Sequence, residues 1–243
     1  MGTNNKENKN SNVSTIVLAI VAILVVIALI VGLVLTNKNN GNKVPSGKGE
    51  EATAEKTESQ TTDFTKWVSD TIDGNYYIPN LLFESEDAKA INNEINTLCA
   101  NRPTQEENPN YGIGYNTYYN KGILSIELVI SNVKTSYTVF NFDVENQTRV
   151  SNKDLLERLG VSEENFITAV KDATESSFRA QFEVAEENDD YKAALDATLA
   201  EVKMEMPIFM NSQAALVSVV TVHHYGSEEI SENQVPLDVN TLK

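Results

Sequence analysis

The chain has 243 residues with 19 basic and 35 acidic side chains, a net charge of −16 at pH 7. Residues 51–243 hold 14 of the basic and 33 of the acidic groups, so this part is expected to be repelled by nucleic acid and anionic headgroups, and neither is expected as a partner. A single cysteine, Cys99, excludes an intrachain disulfide.

The first feature in chain order is Val13–Leu35, VSTIVLAIVAILVVIALIVGLVL, which contains no charged residue and only Ser14 and Thr15 as polar ones. As a helix it would rise about 34 Å at ~1.5 Å per residue, enough to cross a hydrocarbon core of ~30 Å. It is apolar all round, with no polar stripe at helical spacing, so a transmembrane helix is expected rather than a buried core helix. Signal-peptide apolar regions are shorter, about 7–15 residues, and end at a small-x-small cleavage site. Here the sequence runs on as Gly32-Leu33-Val34-Leu35-Thr36-Asn37, so an uncleaved anchor is expected. Lysine counting leaves its direction open: Lys6 and Lys9 precede it, and Lys38, Lys43 and Lys48 follow.

Residues 36–63 are rich in Asn, Lys, Gly, Ser, Thr and Glu, and read as a disordered linker that cannot bury enough surface to fold. Beyond it, Phe64–Val68 suggests a first ordered turn. Asn75–Phe83 reads as a strand whose Pro79 points to a sheet edge. Asp87–Asn101 reads as an amphipathic helix begun by Ser85-Glu86-Asp87, with Ile91, Ile95, Leu98 and Cys99 on one face and the cysteine a packed core thiol. Arg102–Asn110 reads as a loop.

Between Asn110 and Lys121, Tyr111, Tyr115, Tyr118 and Tyr119 are interleaved with Asn and Gly. They are the candidate ligand-binding residues, in a loop suited to carbohydrate or protein, with capping of the sheet by half of them as the structural alternative. Leu124, Ile126, Leu128 and Ile130 alternate with Ser125 and Glu127, the period-two pattern of a strand buried on one side. Ser136–Val144 alternates likewise, and the two predict an antiparallel hairpin.

Asn152–Leu159 predicts a short helix stopped by Gly160. Ser162 caps a longer one with the stripe Phe166, Val170, Ala173, Ser177 and Gln181/Phe182. Tyr191–Lys203 predicts another, Ala214–His224 a Val-rich strand, and Gln234–Val239 a last short one. Strands, then helices, then strands predict an α+β fold with an antiparallel sheet and packed helices.

The ordered set Tyr77-Ile78-Pro79, Ala88–Ile95, Asn141-Phe142-Asp143-Val144 and Ser151–Leu156 resembles the extracellular domain of the anti-sigma-V factor family. The same domain serves as accessory module of a Gram-positive peptidoglycan deacetylase. Pro207–Met210, Ala215–Val222, His223–Ser227 and Gln234–Leu237 are similar to its C-terminal half, giving coverage of roughly Phe64 to Leu242. The resemblance implies two α+β subdomains, 64–150 and 151–243, behind a 1–12 tail, the 13–35 helix and the linker. It also implies a cytoplasmic N-terminus, an extracellular domain, and a basic envelope protein such as lysozyme, or peptidoglycan, as partner. Two departures bear on function: the tail of twelve residues is expected to be too short to hold a sigma factor, and no catalytic domain is expected after this one.

His223 and His224 are neighbours on a strand and point to opposite faces, so no shared metal is expected. No nucleophile elbow or zinc-binding spacing is present. The acidic pairs, such as Glu163-Glu164 and Asp189-Asp190, read as solvated faces. No enzyme, metal or cofactor is expected. The function expected is a membrane-anchored binding or sensing domain, with a wall-polymer enzyme or a sigma-factor regulator as the alternatives.

Overall fold

The computed structural model describes residues 62–243 apart from 75, 105 and 185. The expected anchor Val13–Leu35, the tail before it and nearly all of the linker lie outside the described residues. Among the described residues no helix is long and apolar enough to cross a membrane.

The described residues belong to one compact unit of mixed α/β structure. After a 3-10 turn at Phe64–Lys66 come β1 (Val68–Asp73), β2 (Tyr76–Leu81), α1 (Glu86–Cys99), β3 (Gly112–Asn120), β4 (Ile123–Ser131), β5 (Thr135–Asp143) and β6 (Thr148–Arg149). The chain continues through α2 (Asn152–Leu159), α3 (Glu163–Gln181), α4 (Asp189–Ala200), β7 (Ile208–Met210), β8 (Leu216–His223) and β9 (Ile230–Leu237). The strands form a six-stranded sheet in the order β1 to β6 and a three-stranded sheet β7-β8-β9. Every pairing is antiparallel except β2 with β3, which meet in parallel at Tyr76 and Ile113.

The expected hairpin is β4–β5, and the sheet around it includes three strands that the pattern does not predict, β1, β3 and the short β6. β3 turns into β4 through Lys121 (φ 50°) and Gly122 (φ 81°), a two-residue connection with both φ values positive, the form whose twist matches the strands. Pro79 does not mark an edge, since β2 lies between β1 and β3. β2 pairs with β3 only at Tyr76, however, and past that point its free side is closed by Asn92 of α1. The Asn92 side chain accepts from Leu81 N (2.8 Å) and donates to Leu81 O (3.0 Å), imitating a strand neighbour. Pro79 has the parity of Leu81, so its missing N–H falls on this side and costs the β1 ladder nothing.

Register sorts the side chains by layer. Ile113 of β3, Leu124, Ile126 and Leu128 of β4, and Phe140 and Phe142 of β5 pack with Ile91, Ile95 and Cys99 of α1. Opposite-parity residues of the same strands face the three-stranded sheet, where Phe209, Val217 and Val219 meet Tyr118, Tyr137 and Val139. The remaining face of that sheet carries Ile208, Met210, Leu216, Val220 and Val235 into a core with α2 and α3. In α3 the buried stripe is Phe166, Val170, Thr174 and Phe178, a strict four-residue step, and Ser177 of the expected stripe is exposed. The end of α3 packs on Tyr191 and Leu195 of α4 and Val222 of β8.

Helix ends obey their local chemistry. Ser85, Ser151, Ser162 and Asn188 cap α1 to α4, and α2 ends at Gly160 in the left-handed region (φ 69°). At α2, Ser151 accepts from Asp154 N while the Asp154 carboxylate accepts from Ser151 N, a reciprocal box. Ser151→Ala is expected to lose about 1 kcal/mol of stability, read as a lower urea midpoint at unchanged slope.

Candidate functional site

The four tyrosines sit on and just before β3, a strand rather than a loop, and its alternation separates them. Tyr111, Tyr115 and Tyr119 belong to the α1 side. Tyr111 meets Tyr76 edge-on at 5.9 Å, and burial raises its phenol. Tyr115 packs on the α1 core and bonds the Asp70 carboxylate; burial and that charge both raise its phenol. Tyr119 lies 4.6 Å from the ring of Trp67 and is partly exposed. Tyr118 alone crosses to the other face, where it stacks on Phe209 at 5.0 Å.

That inter-sheet seam holds three of the seven buried polar side chains among the described residues, Ser125, Glu127 and Asn141. Ser125 and Glu127, which the alternation of β4 assigns to solvent, are 2 % and 0 % exposed because the second sheet covers them. Asn141 accepts from Ser125 Oγ (2.7 Å) and donates to Ile208 O (2.7 Å). Asn120 donates to Asn211 O (2.8 Å). Glu127 Oε2 accepts from Asn116 Nδ2 (2.9 Å) and Tyr118 Oη (3.1 Å), and Oε1 accepts from Gln234 Nε2 (2.6 Å). Burial pushes the Glu127 carboxyl above its ordinary 4.5 despite these three donors. Burial, with the Glu127 charge behind it, drives the Tyr118 phenol far above its ordinary 10 and raises that of Tyr137.

Beside the seam lies a cavity of about 130 Å³ lined by Glu201, Lys203, Glu205, Met206, Pro207, Val219, Thr221 and Glu232. Glu232 also accepts from Tyr137 N (2.7 Å), and Lys203 lies 3.4 Å from Glu201. Three carboxylates against one ammonium give the cavity a net negative charge, which disfavours an anion there.

The two histidines have separate partners: His223 Nε2 is 3.6 Å from Glu201, and His224 Nε2 is 2.9 Å from Ser231 Oγ. Among the described residues no group of three or more His, Cys, Asp or Glu is arranged to hold a metal ion. Cys99 is buried in the α1 core, and burial raises its thiol against the pull of Arg102.

Glu127, Asn141 and Gln234 are the residues that sequence reasoning passes over. Their signal lay elsewhere in the chain: β8 is apolar at Leu216, Val217, Val219, Val220 and Val222, a run that wants cover on both faces.

Fold and seam together define a mixed α/β unit in which two sheets pack face to face through an apolar cluster threaded with buried polar groups. No protein-family model matches the chain, and no curated protein matches it.

Proposed function

We propose that this chain is a membrane-anchored, non-enzymatic binding or sensing domain of the bacterial cell envelope, displayed outside the cell, with a basic wall-associated protein or a wall polymer as its partner. The observation that carries this proposal is the pairing, on one chain, of the uncharged run Val13–Leu35 with an acidic folded unit. A partner held by such a surface should be cationic, because complementary charge steers encounter and like charge repels it. The carboxylate-lined cavity between Glu201 and Glu232 supports the same sign of partner. Resemblance to the anti-sigma-V extracellular family favours lysozyme as a first trial partner; this is analogy of domain, not of chemistry.

Display is tested by adding protease to intact cells carrying the full chain with a tag at each end. Loss of the C-terminal tag with retention of the N-terminal one is expected, and the reverse would contradict an outward domain. Incubation of the full chain with peptidoglycan is expected to release no soluble product. Release would replace the binding role with a wall-modifying enzyme.

A further inference from the structure

Glu127 is fully buried, and the groups that hold it come from both sheets. Asn116 and Tyr118 donate from β3 of the six-stranded sheet, whereas Gln234 of β9 is the donor from the three-stranded one. Among the described residues no lysine, arginine or histidine forms an ion pair with it. The ionisable groups around it are Tyr118 on β3, Tyr137 on β5 and, through Tyr137, Glu232 on β9; β7 and β8 bring Phe209, Val217 and Val219. A charge at this position is therefore met by neutral dipoles and by no opposite charge, the situation in which burial is costly.

We propose that Glu127 is a proton-controlled joint between the two sheets: protonated, it keeps Gln234 and β9 seated on β4, and ionised, it releases β9 and widens the neighbouring acidic cavity. Gln234 is itself exposed, so moving one side chain hydrates the carboxylate without unpacking the core. Glu232 lies two residues earlier on the same face of β9, lines the cavity and bonds Tyr137 N, so displacement of β9 acts on both places. The upward push of burial on Glu127 has the matching sign. A closed joint that binds its proton more tightly than the open one is fully stable below the ordinary glutamate value of 4.5, and its stability is lost as pH rises through the raised one.

Amide hydrogen exchange on the full chain in lipid nanodiscs, from about pH 4.5 to about pH 8 and corrected for intrinsic rates, reads this directly. Protection of the β9 amides is expected to fall with rising pH, by up to about tenfold per pH unit inside the titration window, while α1 and the β4–β5 ladder hold. Glu127→Gln should abolish that slope, since a neutral amide can bond Gln234 once the latter turns its own amide over. Gln234→Ala covers the case in which Glu127→Gln fails to fold. It leaves the carboxylate in place without the β9 donor that favours its charged form, so the closed joint holds its proton more tightly and loss of β9 protection should extend to higher pH than in the wild type. Superimposable profiles for wild type and Glu127→Gln would overturn the joint, as would a wild-type and Gln234→Ala match, or a loss spread evenly over the whole unit.

Discussion

Phe209→Ala is expected to destabilise the folded unit by about 3–5 kcal/mol, the largest effect of any single truncation in the seam. Phe209 is 0 % exposed, stacks on Tyr118 and packs with Val217, Val219, Tyr137 and Val139. Removing the ring leaves a void between two sheets that cannot collapse toward one another, because Asn120, Asn141 and Gln234 fix their spacing by hydrogen bonds across the gap. The cost should therefore lie at the upper end for its type. Chemical denaturation with circular dichroism checks it, and a midpoint within about 1 kcal/mol of wild type would mean that the seam is not a packed core.

The second large effect is at Asp143, where the end of β5 is joined to α2. Its carboxylate accepts from Glu145 N, Asn146 N and Asn146 Nδ2, and from Arg158 at 2.6 Å, while its side chain is only 3 % exposed. Burial raises the group, but the Asn146 bonds and the Arg158 guanidinium outweigh it and hold the carboxyl down at about 2. Because the folded value lies below the ordinary 3.8, this stabilisation is fully present above pH 3.8 and is lost as pH falls toward 2. Asp143→Ala should cost about 1.5–3 kcal/mol at neutral pH, since hydrogen bonds to a charged group are the strong kind, while water can reach the exposed Glu145 and Asn146 donors left behind. It should also flatten the acid limb of the stability curve. An acid limb identical to that of the wild type would assign the acid sensitivity to other carboxylates.

Helices were the legible part of this chain. Ser85 and Ser162 as caps, Gly160 as the stop of α2 and the four-residue spacing of apolar side chains all depend on neighbours a turn away, and such signals survive in a linear reading. The hairpin β4–β5 was legible for the same reason. β3 was not, because its tyrosines, asparagines and glycines carry no apolar alternation; its strand state comes from nine residue pairs with β4. β1 was hidden likewise, with Val68 its sole buried residue. Pro79 misled because the partner that closes the free side of β2 is a helical asparagine, which no strand pattern encodes.

The candidate site was the least legible. Ser125, Glu127 and Asn141 alternate with Leu124, Ile126 and Phe140 as water-facing residues would, and a polar inter-sheet seam and a solvated face have the same pattern along one strand. What distinguishes them is a second sheet from residues 208–237, some ninety residues further on, which only the fold brings alongside. The tyrosine cluster shows the converse. Tyr118 and Tyr119 are adjacent in the chain, yet the strand turns one to Phe209 and the other to Trp67.

A binding role for this acidic domain is tested most directly by titrating lysozyme, the basic trial partner, onto the full chain held in nanodiscs of neutral lipid. Saturable binding that weakens steadily as salt is raised is predicted, because the attraction of an acidic surface for a cationic partner is screened over about 10 Å at 0.1 M salt. Absence of saturable binding at every salt concentration would contradict it.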